Sequence, residues 1–467
     1  MTKCITTVIL ISLSITAFAQ SSIYNLWYFG EYAGVDFTSD TPTAITGGQI
    51  TGIEGCATIC DDNGNLLFYS DGQKVYNANH EIMENGDNLM GHWSSAQSAL
   101  ILPKLEMLMR NESKQYYLFT TDDSGEQHLL DGWRYSIIDM SLDGGLGAVT
   151  QDKNISLEAM VTERQVAIPH SNNHDIWLVG HRWNSDEFIA YLITDDGISD
   201  TPIVSAIGPI NEGGWSANST YNEWVNAAGF LKTNIDGNKL AVTQHDIGKF
   251  ELYDFDNSTG IVSNFRTSSS FFRGYGVEFS PDGTKLFGTY DIYSNSSKII
   301  QYDLEAENLF ESYELIGTCG RASALQLGPN GKIYVAKSGY NYLGEISNPN
   351  ELGENCGFNE YAIYLNNVSC QYGLPSMYYY PGFAASKEDI DLETQISLFP
   401  NPVKEKLTIE FEGEYMVCIF TIQGKLVTTV TNQIGQCSID CSKYKNGIYL
   451  VNIISEGKIR SHKILKI

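Results

Sequence analysis

Basic residues are scarce in this chain. Against 56 Asp and Glu stand 29 Lys and Arg, a formal net charge of −27 over 467 residues. A nucleic-acid partner needs Lys and Arg to displace counterions, so that class is not expected. Long apolar runs are scarce as well. Beyond the first twenty residues none approaches the roughly 18–20 residues that cross a bilayer as a helix, and no transmembrane segment is expected. Cysteine never occurs as C-x2-C, which disfavours a zinc site. G-x-S-x-G, Walker, Rossmann and H-E-x-x-H patterns are missing. A Ser-His-Asp triad needs only proximity in space. Nothing in the sequence selects one, and no catalytic residue is assigned.

What is present begins with a leader. Residues 1–20, "MTKCITTVILISLSITAFAQ", hold one Lys, an apolar run from Val8 to Ile15, and small residues ending in Ala17-Phe18-Ala19. This is the pattern of a secretory signal peptide cut near Ala19 or Gln20. The rest of the charge is unevenly spread. Leu392–Ile467 carries nine Lys/Arg and seven Asp/Glu, for +2, whereas Ser21–Asp391 carries −30. The step marks a boundary, and the polar stretch "AASKEDIDLETQ" reads as a linker at 385–395. The expected domains are 21–384 and 396–467.

The body repeats itself. "CDDNGNLLFYSD" (from Cys60), "TNIDGNKLAVTQ" (from Thr233), "FSPDGTKLFGTY" (from Phe279) and "LGPNGKIYVAKS" (from Leu327) each place Asp-Gly or Asn-Gly between apolar stretches. That is a strong hairpin signal, with positive φ expected at both turn residues. Strand starts fall near Ala57, Ala99, Val166, Phe230, Val277, Leu325 and Leu374. The last three intervals are 47, 48 and 49 residues; the earlier ones, 42, 67 and 64, are stretched by insertions such as "KLEMLMRNESKQ" and "NEGGWSANSTYNEW". Several short strands per period of 40–50 residues are the signature of a β-propeller. The seventh start has no hairpin after it, and "NLWYFGEYAGVDF" (Asn25–Phe37) has no start before it. The expected fold is an all-β, seven-bladed propeller, with six or eight blades as alternatives, whose N-terminal strands complete the blade begun at Leu374. The repeat resembles WD-type and related propellers without clear His or Trp-Asp signatures.

The tail differs in kind. Alternating strands separated by Gly turns predict a small antiparallel β-sandwich. Phe399-Pro400-Asn401-Pro402, the Gly424-Lys425 turn, Asn446-Gly447-Ile448-Tyr449 and Lys463-Ile464-Leu465-Lys466 make it resemble the C-terminal sorting domain of the type IX secretion system of Bacteroidetes. Cys437 and Cys441 depart from that pattern. The body resembles exported Bacteroidetes propellers that carry this tail, through "LWYFGEYAGVDF", "DGWRYSIIDMSLDGGLGAV" and "LGPNGKIYVA". The resemblance implies the type IX machinery as a partner and an extracellular or outer-membrane-surface location, with the tail cleaved and the body released or fixed to lipopolysaccharide. It also implies sorting residues at Pro400, Asn401, Pro402, Gly424, Gly447, Tyr449, Lys463 and Lys466. Lys458, Arg460, Lys463 and Lys466 are expected to form an exposed basic patch, against the plainer reading of charges that solvate an edge strand.

Candidate chemistry is thin. His170, His174 and His181 crowd a turn and strand with Asp175, but three histidines at this spacing do not converge on one metal. Asp61-Asp62, Asp122-Asp123 and Asp195-Asp196 suit turn capping better than a glycosidase pair. No cofactor is expected, with weak Ca²⁺ binding by loop carboxylates left open. Of the eight cysteines after the leader, Cys356 and Cys370 flank one loop–strand segment and are the expected disulfide. Trp93 in "GHWSSAQSA", and Trp215, Tyr221 and Trp224 in the long insertion, are the candidate ligand-binding aromatics; the alternative is that they cover blade edges. The leading reading is a non-enzymatic binding or structural propeller for a glycan or protein ligand. The runner-up is an extracellular propeller hydrolase or lyase acting on glycan or peptide, and a convergent carboxylate or His cluster at the channel mouth would separate the two.

Overall fold

The computed structural model describes residues 22–39, 41–105, 115–125, 129–172, 174–213, 225–379, 397–421, 426–455 and 458–467. The chain divides into two compact units, one within Gln20–Phe383 and one within Ala384–Ile467.

The first unit is a seven-bladed β-propeller, built from seven antiparallel sheets in chain order. The opening sheet is Leu26–Phe29, Ala33–Asp36 and Thr43–Ile45; the second is Ala57–Cys60, Leu66–Ser70 and Val75–Asn77. The later sheets have their innermost strands at Ala99–Pro103, Val161–Pro169, Leu231–Thr233, Gly274–Phe279 and Ala322–Leu327. These strands are buried along almost their whole length on both faces. This is why they read as continuous apolar runs, while outer strands such as Ile261–Thr267 are largely exposed.

The turns form for a slightly different reason than expected. Only the glycine takes positive φ: Gly64 (81°), Gly237 (64°), Gly283 (69°) and Gly331 (75°). Each closes a turn by donating its N–H to the carbonyl three residues back, as Gly283 does to Ser280 at 2.9 Å. The residue before it stays in the ordinary region. A preceding Asp or Asn instead caps the turn: Asp282 Oδ1 accepts the Thr284 N–H at 3.0 Å, and Asn234 Oδ1 accepts those of Asn238 and Lys239.

Neighbouring blades are tied by hydroxyls. Thr243 Oγ1 accepts the Phe230 N–H of its own sheet at 2.9 Å and donates to the Tyr275 carbonyl of the next. Thr289 repeats the arrangement, accepting from Gly276 N–H at 2.8 Å and donating to Ser323 O at 2.7 Å. The corresponding residue one blade on is Ala336, which has no hydroxyl; there Ser323 Oγ donates within the same sheet, to Ala336 O at 3.3 Å. Without these links the inner carbonyls would be buried and unpaired.

The ring closes between the ends of the unit. Glu31 N–H donates to Ser369 O at 2.9 Å, Tyr378 N–H to Tyr24 Oη at 3.0 Å, and Ser376 N–H to Cys56 O at 2.8 Å. Trp27, fully buried, packs on Phe37 and Tyr334, joining the opening sheet to the last. The C-terminal segment 374–379 lies alongside but forms no ladder with the opening sheet. It is held by the single parallel bridge of Pro375 to Cys56 and by the bonds above. Proline at 375 lacks the N–H that a ladder would need.

The second unit is a five-stranded antiparallel sheet around one apolar core. Lys406–Thr421 pairs along its length with Leu426–Asp440, and its second half also pairs with Gly447–Ser455. Leu407, Ile409, Phe411, Tyr415, Val417 and Ile419 recur at even spacing into the core. Asn401 Oδ1 accepts Leu465 N–H at 2.8 Å, and Val403 exchanges backbone bonds with Leu465 and Ile467. The Pro-Asn-Pro turn thereby pins the terminal strand Lys458–Lys466. Tyr449 is buried, its hydroxyl donating to Lys445 O at 3.0 Å, and Gly447 sits at φ 149° opposite Lys466. Lys463 pairs with Leu450 in the sheet; Gly424 lies outside the described residues. The expectation of an exposed basic patch is corrected at Lys466, which is buried, with Nζ donating to Ile467 O at 2.8 Å; the side chains of Lys458, Arg460 and Lys463 lie outside what the structure describes. Strand alternation places Lys466 on the same face as Ile464, so its stem packs at the core's edge.

The expected disulfide is also corrected. Cys356 and Cys370 are both free and buried. Cys356 packs with Cys319 and Ile346 under the last sheet, whereas Cys370 packs with the ring-closing cluster around Trp27 and Cys56. Phe358–Tyr364, the outermost strand of the last sheet, stands between them in the chain and carries them to different sides of that sheet's packing.

Candidate functional site

The innermost strands of a propeller run parallel around its axis, so residues at their N-terminal ends meet at one end of the channel. Those residues here are Glu54, the 93–98 segment, Glu163, Tyr275 and Tyr372. Ile53 and Glu54 donate their N–H groups to Trp93 O at 3.1 and 3.3 Å. Glu163, from the next sheet but one, binds the same segment from its other side: Oε2 accepts Ala96 N–H at 2.8 Å. Its Oε1 accepts both the N–H and the hydroxyl of Ser124, at 2.8 and 2.6 Å. Two carboxyl groups therefore flank one stretch of chain, and Asp123 lies close enough to affect both.

Burial is the main influence on this pair. It pushes Glu54 well above the usual carboxylate range, reinforced by the charges of Glu163 and Asp123 and opposed by the Tyr275 and Ser94 hydroxyls. Glu163 is pushed up to about 7 by burial, against its bonds from Ser124 and Ala96. No ion pair reaches either group among the described residues. Arg164, next along the chain, spends its guanidinium on Thr243 O, Asn226 O and Asn211 Oδ1 at 2.8–3.0 Å.

Aromatic rings surround the carboxyls. Tyr275 comes from across the channel and is buried; its hydroxyl has the Glu54 carboxyl as neighbour but no hydrogen bond of ordinary geometry. Tyr293 is 44 % exposed, and its ring stands 5.9 Å from Tyr372. Its hydroxyl lies 3.1 Å from His245 Nε2, while His245 Nδ1 lies 3.1 Å from Gly274 O. The carbonyl can only accept, so Nδ1 carries the proton and Nε2 accepts from Tyr293. Burial lowers the pKa of His245 and keeps it neutral. The Arg273 guanidinium sits over the Phe272 and Tyr293 rings, 4.6 and 4.8 Å from their centres. Trp93, Glu54 and Tyr372 all retain partial exposure.

At the opposite ends of the inner strands, Lys232 Nζ bonds Glu278 Oε2 at 3.0 Å and Gln326 Oε1 at 2.5 Å; Gln326 Nε2 donates to Tyr379 Oη at 2.7 Å, and Tyr379 donates to Leu327 O at 2.6 Å. Every member of that network has partners, as a rigid structural network requires. The mouth at Glu54 is not so satisfied.

Of the aromatics named from sequence, Trp93 stands at this mouth; Trp215, Tyr221 and Trp224 lie outside the described residues. His170 and His174 occupy a turn, with His174 Nε2 2.9 Å from Asp195 Oδ1. His181 is buried at the end of its strand, bonded to Arg182 O and Asn211, and the three do not converge. Asp61 caps its turn through Asn63 and Asn65, whereas Asp123 belongs to the mouth. Sequence reasoning missed Glu54, Glu163, Tyr275 and Tyr293. Their one common signal is position, just before or at the start of an inner strand or in the loop leaving the next strand.

Residues 397–467 match the family described as the secretion system C-terminal sorting domain. The chain is thus a seven-bladed β-propeller carrying a type IX sorting domain, the signal for export to the cell surface or beyond. Comparison with curated proteins gave no match. Among solved structures, a candidate 6-phosphogluconolactonase from Bacteroides fragilis is similar at 10 % identity and TM-score 0.43, over 78 % of this chain and 98 % of that one. A second, from Bacteroides uniformis, gives 12 % and 0.40 over 69 % and 92 %. PorZ of Porphyromonas gingivalis, a surface component of the type IX secretion system, gives 10 % and 0.24 over 95 % and 81 %. Likenesses this distant carry no chemistry across.

Proposed function

We propose that this protein leaves the cell by way of a cleaved leader and its type IX sorting domain, and that its propeller then binds a hydroxyl-rich ligand, a glycan, at the Glu54 end of the channel. The observation that carries this reading is the pairing of partly exposed rings, Trp93, Tyr293 and Tyr372, with the partly exposed Glu54 at one end of the inner strands. Flat rings stack on the apolar faces of sugars, and carboxyl and hydroxyl groups hold their equatorial hydroxyls. The acidic surroundings favour a neutral sugar over an anionic one. Calorimetric titration of the purified protein with a panel of soluble glycans tests this. Binding is expected to at least one, weakened about tenfold, or about 1.4 kcal/mol, in Trp93→Ala and Tyr293→Ala. No binding across the panel would overturn it.

A further inference from the structure

We propose that the site takes a run of at least three sugars of a glycan chain, one against each of the rings Phe272, Tyr293 and Tyr372, and that Arg273 sets the spacing of the first two. The proposal rests on the glycan reading of this mouth. It deepens that reading by naming the length of ligand and the side chains that select it.

The rings form one row. The Arg273 guanidinium lies between the first two, its carbon 4.6 Å from the centre of Phe272 and 4.8 Å from that of Tyr293. Tyr293 stands 5.9 Å from Tyr372. Tyr372 stands 6.3 Å from Tyr275, which is buried and ends the row in the wall. The row thus runs from the turn before the inner strand Gly274–Phe279, through the loop that leaves Lys285–Tyr290, to the segment that closes the ring. A six-membered aromatic ring and a pyranose ring are alike in size, so one ring covers one sugar face. A row of rings therefore suits a chain better than a lone sugar.

Phe272, the outermost ring, is 60 % exposed. That exposure is enforced by its surroundings. Phe271, just before it, turns the other way and packs on Phe250, Tyr290 and Tyr313, with ring centres 5.7, 4.8 and 5.5 Å away. Phe271 N–H donates to Gly248 O at 2.9 Å, and Asp291 N–H donates to Phe272 O at 2.7 Å. Arg273 is held at φ 55°, a left-handed conformation that a long side chain adopts only under strain. Hydrophobicity gives no reason to keep a phenyl ring in water. Strain of this kind persists where the surrounding structure imposes it, and it gathers at ligand sites. Tyr293 is fixed as well, its face against Arg273 and its hydroxyl donating to His245 Nε2 at 3.1 Å. Rings already held in place give up little freedom when a ligand stacks on them. Arg273 is accordingly a positioning residue, spending backbone strain to keep two rings in register.

The test is calorimetric titration of the full chain with neutral cello-, xylo-, manno- and malto-oligosaccharides of one to six units. For at least one series the dissociation constant should fall about tenfold from one unit to three. Phe272→Ala, at an exposed ring, should cancel that gain and bring the three-unit oligomer back to the affinity of shorter ones. Arg273→Asn separates positioning from folding. Asn enters the left-handed region readily, so its urea midpoint should equal or exceed that of wild type while its affinity for the three-unit oligomer falls several-fold. Equal affinity at every length overturns this proposal and leaves the glycan reading standing, as does an undiminished gain in both variants. Absence of binding at any length overturns both.

Discussion

Gly373 and Glu54 touch backbone to backbone: a Cβ on Gly373 would stand 1.9 Å from the Glu54 carbonyl oxygen. The contact lies where the ring closes and where the candidate site opens, so the seam that completes the propeller also positions Glu54. Tyr372 N–H, one residue earlier, donates to Ile53 O at 2.7 Å and reinforces it.

Gly373→Ala is therefore expected to destabilise the propeller by about 1–3 kcal/mol, the usual cost of forcing an atom into packed backbone. It should also displace Glu54 and weaken whatever the mouth binds. Gly52→Ala is the control, since its nearest neighbours would be 3.6 Å away, and it should stay within about 0.5 kcal/mol of wild type. Urea unfolding of both variants checks this.

The hydroxyl ties between blades should be individually measurable. Thr243→Val removes an acceptor from Phe230 N–H and a donor to Tyr275 O while keeping the shape. Two buried backbone groups lose their partner, at a cost of about 1–3 kcal/mol each at most. Thr289→Val should behave alike. A change under about 0.5 kcal/mol in both, by urea unfolding, would remove these bonds from the account of how the ring is held.

Acid should weaken the fold through His181. Burial, aided by the charge of Arg164, pushes this imidazole down to about 3 from an ordinary 6.5. Between those values the unfolded chain takes up a proton that the folded one refuses. The contribution is complete above pH 6.5 and falls as the pH drops, with a slope of up to about 1.4 kcal/mol per pH unit. Glu163, raised to about 7 from 4.5, acts in the opposite sense, reducing stability as pH rises through that window. Comparing wild type with His181→Gln between pH 4 and 7 isolates the first term. The stability difference should shrink toward acid, and a constant difference would refute the assignment.

Export should depend on the terminal sheet. Deleting Leu392–Ile467 is expected to leave the protein in the periplasm, read by fractionation and surface labelling of cells. Asn401→Ala, which loses the bond to Leu465 N–H, should reduce surface delivery in part. Normal delivery of the deletion variant would refute the role of the tail.

How much of this could be read beforehand follows from the range of each interaction. The hairpins at Gly64, Gly237, Gly283 and Gly331 are local: one residue that tolerates positive φ and an Asp or Asn that caps the turn suffice, and both are visible in four consecutive letters. The repeat is local in the same sense, copied along the chain. The tail's strands follow from alternation. By contrast, the burial of Lys466 depends on which face of the terminal strand turns toward the core, and the separation of Cys356 from Cys370 on which side of the last sheet each lands.

By itself, then, the sequence determined the seven repeated sheets, the exported tail and the need for the ends to meet, because period-two patterning and turn chemistry act over a few residues. Only the tertiary structure decided the site. Glu54, Asp123, Glu163 and Tyr275 span more than two hundred positions, none bears a local signature, and it is closure of the ring that brings them to one end of one channel.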